Sequence, residues 1–169
     1  MPERTALASI EWTSTRAVIR DVICPASDNV ILDAIERADK SGIDCPFGWP
    51  DAFVEFVTAH RVGHVDLSTG GLGAGWRREL TMRRTDAFVR DKLHVVPLSV
   101  SADKIAHVAL RCAVLLARLD AAGRPVDRCG AGLVVEMYPA ASLRSGACIS
   151  GATSNEASPT YPAASPMIS

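Results

Sequence analysis

Gly42-Ile43-Asp44-Cys45-Pro46-Phe47-Gly48-Trp49-Pro50 is the stretch whose reading decides the fold. A short apolar approach ends in a carboxylate, and two prolines and a glycine then break the chain. Pro46 cannot donate to a strand ladder, and it drives Cys45 toward an extended conformation. A strand running through Ser41 to Asp44 must therefore stop there, with Asp44 at its tip. Ligand sites of open α/β sheets lie outside the carboxyl ends of their strands, so an acid is useful at this point.

Working outward, Thr5 to Trp12 reads as a strand, and the β-branched run Arg16 to Cys24 reads as a second. The short Thr13-Ser14-Thr15 step makes them an antiparallel hairpin. Asp28 offers an N-cap for a helix with Val30, Ile31, Ala34 and Ile35 on one stripe. The order strand, strand, helix, strand suggests a mixed sheet and an α/β class. Pro50 and Asp51 open a further helix that fades near His60. Residues 63 to 75 are glycine-rich and irregular, which suits an exposed or functional loop. A cationic cluster follows: Arg77, Arg78, Arg83, Arg84 and Arg90. Pro97 to Ser101 reads as a turn with hydroxyl caps. The clearest helix starts near Ala102, with Ile105, Val108, Ala109, Cys112, Leu115, Leu116 and Leu119 at steps of three and four. Gly123 and Pro125 end it. Gly132 to Tyr138 reads as a buried strand, and Pro139 opens a last helix.

The 169 residues suffice for one domain with a real core, and a net charge of −1 gives no global case for nucleic acid or an anionic membrane. A local basic patch on a neutral domain stays compatible with a nucleic-acid substrate. No apolar run is long enough to cross a bilayer, and the N-terminus lacks a signal-peptide pattern. Five cysteines without CxxC spacing argue against a disulfide framework or structural zinc, and reduced thiols point to the cytoplasm. His60 and His64 stand four apart without an HExxH pattern, which disfavours zinc. The glycines at 70, 71, 73 and 75 lack the Gly-Lys-Ser/Thr of a Walker loop. No Gly-x-Ser-x-Gly elbow supports a serine hydrolase.

Four segments together carry a resemblance: Gly42 to Pro50, Arg83-Arg84-Thr85-Asp86, Pro97 to Asp103, and Val135-Glu136-Met137-Tyr138-Pro139-Ala140. In this order and spacing the chain resembles the family called domain of unknown function 429, a family of predicted nucleases with a ribonuclease H-like fold. The resemblance covers roughly residues 3 to 144. It implies a mixed β-sheet flanked by helices in a single domain over 1–144, followed by a poorly ordered tail over 145–169. That tail is rich in small and polar residues, which pack little. Family members usually begin with a strand of the type Gly-Val-Asp-Leu-Ala, shortly before the segment resembling Pro2 to Ala8. The chain is therefore expected to lack the central first strand and its aspartate. A shifted frame or decayed terminus would explain the unlike tail.

The resemblance implies a metal-dependent nuclease that cleaves phosphodiester bonds of nucleic acid. Asp44, Asp86 and Glu136 would be catalytic and would bind Mg²⁺ or Mn²⁺, hard cations that prefer oxygen ligands. Arg83 and Arg84 would contact substrate phosphate. No membrane and no stable protein partner are implied. Each residue also has a plain reading. Asp44 can cap the turn at Cys45 and Pro46. Asp86 can be an N-cap or the ion-pair partner of Arg83, and Glu136 can bond a neighbouring arginine. The arginine cluster can be a solvated face. Ser99, Ser101 and Asp103 look like capping groups. Cys45, beside Asp44, reads as a buried small residue. Catalysis is expected to be weak or absent, because orphaned backbone groups beside a missing strand cost about 1–3 kcal/mol each. The competing classes are a non-catalytic module binding a nucleotide, an anion or a protein, and a fragment that folds poorly.

Overall fold

The computed structural model describes residues 4–66 and 73–147. Its elements are β1 (Leu7–Trp12), β2 (Ala17–Ile23), α1 (Asp28–Arg37), β3 (Ser41–Ile43), α2 (Asp51–Arg61), α3 (Ala74–Thr81), α4 (Arg84–Leu93), α5 (Ala106–Ala121), β4 (Val134–Glu136) and α6 (Pro139–Ala147). This is a mixed α/β architecture.

The strands form two two-stranded sheets among the described residues, where one mixed sheet was expected. β1 and β2 pair antiparallel, with a register shift between Ser9 and Ile10. β3 and β4 pair parallel, Ser41 opposite Val134 and Ile43 opposite Glu136. No described strand carries a ladder from one pair to the other. The hairpin closes at Thr13, whose N–H donates to the Arg16 carbonyl at 2.8 Å and whose Oγ1 accepts from the Arg16 N–H at 3.1 Å.

The core lies between α1, α5, the β3–β4 pair and the segment that leaves β3. Ile35, Cys45, Phe47, Val100, Ala109, Cys112, Leu116, Leu119 and Val134 form one buried cluster. Most of the stripe read from the sequence supplies it: Ala109, Cys112, Leu116 and Leu119 of α5 belong to the cluster and Leu115 is buried, whereas Val108, expected on the same stripe, is exposed. Burying each large aliphatic side chain stabilises by about 1.5–3 kcal/mol. Arg111, on another face of α5, ties the fold's entry together. Its Nε donates to Asp28 Oδ1 at 2.8 Å and its Nη1 donates to Thr5 Oγ1 at 2.5 Å.

Two helix starts differ from the sequence reading. Ser27, not Asp28, caps α1 by accepting the Val30 N–H at 3.4 Å, which leaves the Asp28 carboxylate for Arg111. α5 begins at Ala106 because Ser99 and Asp103 first build a hydrogen-bonded turn. The Ser99 N–H donates to Asp103 Oδ2 at 2.7 Å, and the Ala102 N–H donates to Ser99 Oγ at 3.1 Å. The arginine-rich stretch, for which periodicity gave no element, folds as α3 and α4. Part of the glycine-rich loop, residues 67–72, and the tail from 148 onward lie outside the described residues.

Candidate active site at the Arg83 corner

The β3–β4 register decides the site. It sets Glu136 opposite Ile43, at the point where Pro46 ends the strand. The chain then turns back, and the Phe47 N–H donates to Glu136 Oε2 at 3.0 Å. From the other side Arg83, just before α4, reaches the same carboxylate. Its Nη1 donates to Glu136 Oε2 at 2.9 Å and its Nη2 donates to Glu136 Oε1 at 2.7 Å. These two residues are 53 positions apart in the chain.

Arg83 also holds Asp86. Its Nη2 donates to Asp86 Oδ1 at 2.8 Å, its Nε donates to Oδ2 at 3.1 Å, and its backbone N–H donates to Oδ2 at 2.9 Å. Asp86 sits in the first turn of α4, where a negative charge also meets the positive end of the helix dipole. The side chains of Arg83, Asp86 and Glu136 are 11%, 3% and 21% exposed, so the triad is largely withdrawn from water. Burial works against the Arg83 charge. The hydrogen bonds to Asp86 and Glu136 outweigh it and raise the guanidinium above its ordinary value.

The plain readings of Asp86 and Glu136 thus describe this arrangement well. One is an ion-pair partner within its own helix start, and the other bonds a neighbouring arginine. Asp44 follows β3 directly and is exposed, and its carboxylate has no hydrogen bond or ion pair among the described residues. It does not cap the turn, where instead the Cys45 N–H donates to the Ile43 carbonyl at 2.9 Å. Arg84 is exposed and without an acid partner among the described residues.

Two residues enter that chain-order reasoning passed over. Tyr138 borders the corner. Burial, and then the charges of Asp86 and Asp44, push its phenol pKa up, against a smaller opposing effect of Arg83. Tyr138 lay inside a quoted motif but carried no chemical assignment, since a lone tyrosine has no spacing signal. Cys112 of α5 meets Cys45 in the core. A hydrogen bond to Cys112, then burial, then the charges of Cys112, Glu136 and Asp44 push the Cys45 thiol up. Both thiols are buried, which makes Cys45 the small core residue that its sequence context suggested.

The donor set does not fit a divalent cation as it stands. All four oxygens of Asp86 and Glu136 accept hydrogen bonds from Arg83. Among the described residues no three acid, histidine or cysteine side chains lie together in a metal-holding group. The structure brings Asp86, Glu136 and Arg83 together and leaves Asp44 and Arg84 on exposed positions beside them.

These contacts define an α/β protein with an arginine-clamped acid pair where a parallel strand pair meets a helix start. A family model described as "Protein of unknown function (DUF429)" matches residues 2–158, and the chain belongs to that family. The match runs past residue 144, the boundary drawn from the motifs. No curated protein and no solved structure matches the chain.

Proposed function

We propose that the Arg83 corner handles phosphodiesters of nucleic acid and that the arrangement seen here is its non-cutting state. The observation that carries this reading is Arg83 itself. One guanidinium occupies every oxygen of two acids drawn from distant segments, which is where a hydrolytic site would keep its charged groups when closed. Under the resemblance to predicted nucleases the fold is ribonuclease H-like, although β1–β2 and β3–β4 stand as separate pairs among the described residues. Asp44, Asp86 and Glu136 are then the oxygen donors toward Mg²⁺ or Mn²⁺ once Arg83 withdraws, and Arg83 and Arg84 are the groups for substrate phosphate. While Arg83 holds both acids, its nitrogens are engaged and Arg84 is the cation for a phosphate, so the corner binds without hydrolysis.

A non-catalytic binding module is the second reading, and the satisfied, nearly dry triad favours it directly. Manganese separates the two. Arg83→Gln leaves two acids without their cation, and Arg83→Lys keeps a charge but cannot fork to both. Melting curves of both variants should rise on adding Mn²⁺, while the wild type stays unchanged. Cleavage of single-stranded, duplex or hybrid oligonucleotides should appear only in the freed variants and vanish when Asp44→Ala is added. Melting curves of both variants that ignore manganese would remove the hydrolytic reading and leave the module.

A further inference from the structure

We propose that Cys45 and Cys112 are an oxidisable pair, closed to a disulfide by a hydroperoxide, and that the closed pair locks the segment carrying Asp44 and Phe47 to α5. Both are free thiols in this structure, and they are 4% and 3% exposed. They belong to the same buried cluster, and a hydrogen bond joins the two side chains. Cys112 is on the buried face of α5, and Cys45 follows β3 between Asp44 and Pro46.

Contact between two thiols is the starting geometry of a disulfide, which draws the sulfurs to about 2 Å. The surroundings suit the product. Ile35, Phe47, Leu116 and Val134 of the same cluster are apolar, and a disulfide is apolar with no proton left to place. The other described cysteines, Cys24 and Cys129, are exposed. The consequence of closure falls on the Arg83 corner. Asp44 directly precedes Cys45, and the Phe47 N–H donates to Glu136 Oε2 at 3.0 Å. In the reduced protein only hydrogen bonds and packing hold this segment. A covalent tie from Cys45 to the middle of α5 removes its freedom to open.

The oxidant has to be small, because both sulfurs are buried, and hydrogen peroxide is little larger than water. One thiolate attacks a peroxide oxygen. The O–O bond breaks, that sulfur becomes a sulfenic acid, and the other oxygen takes a proton and leaves as water. The second sulfur then attacks the sulfenic sulfur. The S–S bond forms, the S–O bond breaks, and a second water leaves. Two thiols and one hydrogen peroxide thus give one disulfide and two waters, with two electrons passing from sulfur to peroxide oxygen. Bond formation does not depend on whether the corner cuts.

The experiment uses the full chain with Cys24→Ser, Cys129→Ser and Cys148→Ser, which leaves only the pair. The protein is treated with hydrogen peroxide and then unfolded in an alkylating agent. Both free thiols should disappear, and peptide mass mapping should find positions 45 and 112 linked within one chain. Dithiothreitol should restore both thiols. The bond closes a long loop of the unfolded chain, so Tm should rise by about 5 °C or more. Deuterium exchange at the Phe47 amide should slow by about threefold or more. Adding Cys112→Ala should abolish the rise in Tm. Mapping the wild type in the same way gives the linkage result even if a variant does not fold. Thiols that survive peroxide, sulfinic acids in place of the link, or links only between chains would overturn the proposal. A linked pair with Phe47 exchange unchanged would overturn the locking of the segment.

Discussion

Arg83 ties the start of α4 to β4 through four side-chain hydrogen bonds. It is one cation between two acids, and the acids depend on it because water reaches them poorly. Removing one partner of a buried ion pair costs about 3–5 kcal/mol. Arg83→Ala should therefore lower the unfolding free energy by about that much in urea melts. Replacing all three residues with apolar side chains of matched volume should restore most of it. A loss under about 1 kcal/mol for Arg83→Ala would mean that the triad is better solvated than its exposure indicates. Tyr138 gives a second handle. Its phenol is raised by burial first and then by Asp86 and Asp44, so folding favours the protonated form. That contribution is intact below the free tyrosine value of about 10 and declines as pH rises through the folded value. Alkaline absorbance titration should show Tyr138 ionising late, and Asp44→Asn should bring it earlier. An unchanged titration in Asp44→Asn would place Asp44 away from the corner.

The parallel pair β3–β4 is the element on which the corner turns, and it is only three residues long. Two local devices hold it. Lys40 donates from Nζ to the Gly130 carbonyl, and to the Gly132 carbonyl at 2.5 Å, which fixes the approach to β4. Gly42 lets Met137 lie across β3, since a Cβ there would overlap the Met137 sulfur and come 2.7 Å from its Cγ. Gly42→Ala should cost about 1–3 kcal/mol through overpacking. Because Met137 is flexible, the cost should shrink in a Met137→Ala background. A double-mutant cycle measures that coupling, and additive losses would assign the cost to the strand backbone instead. Sequence pattern located β3 well because Pro46 ends it. It overextended β4, which runs only over Val134–Glu136 with flanking backbone bonds from Leu133 and Met137, because an apolar run has no signal for where its ladder stops.

At the scale of the whole molecule the packing is uneven. The α1–α5–β3–β4 core is closed, while the hairpin places Ala8, Ile10 and Trp12 on one face beside Val22, Ile19 and Ala17, all of them exposed. Trp12 is 77% exposed and Ile19 66%. Two predictions follow from that contrast. Leu119→Ala, in the closed half, should cost about 2–5 kcal/mol in a denaturant melt. Trp12→Ser, on the open face, should stay within about 0.5 kcal/mol of wild type. If Trp12→Ser destabilised as much as Leu119→Ala, something would have to cover the hairpin face in solution.

The amino-acid sequence alone determined the local features: the hairpin, the strand that Pro46 stops, and the α5 stripe that fills the core. These depend on backbone sterics and on periodicities of two and 3.6, which neighbouring residues encode. The bond from Arg83 to both acids was decided only by tertiary structure. It requires Glu136 to stand opposite Ile43, and nothing near position 83 encodes that register.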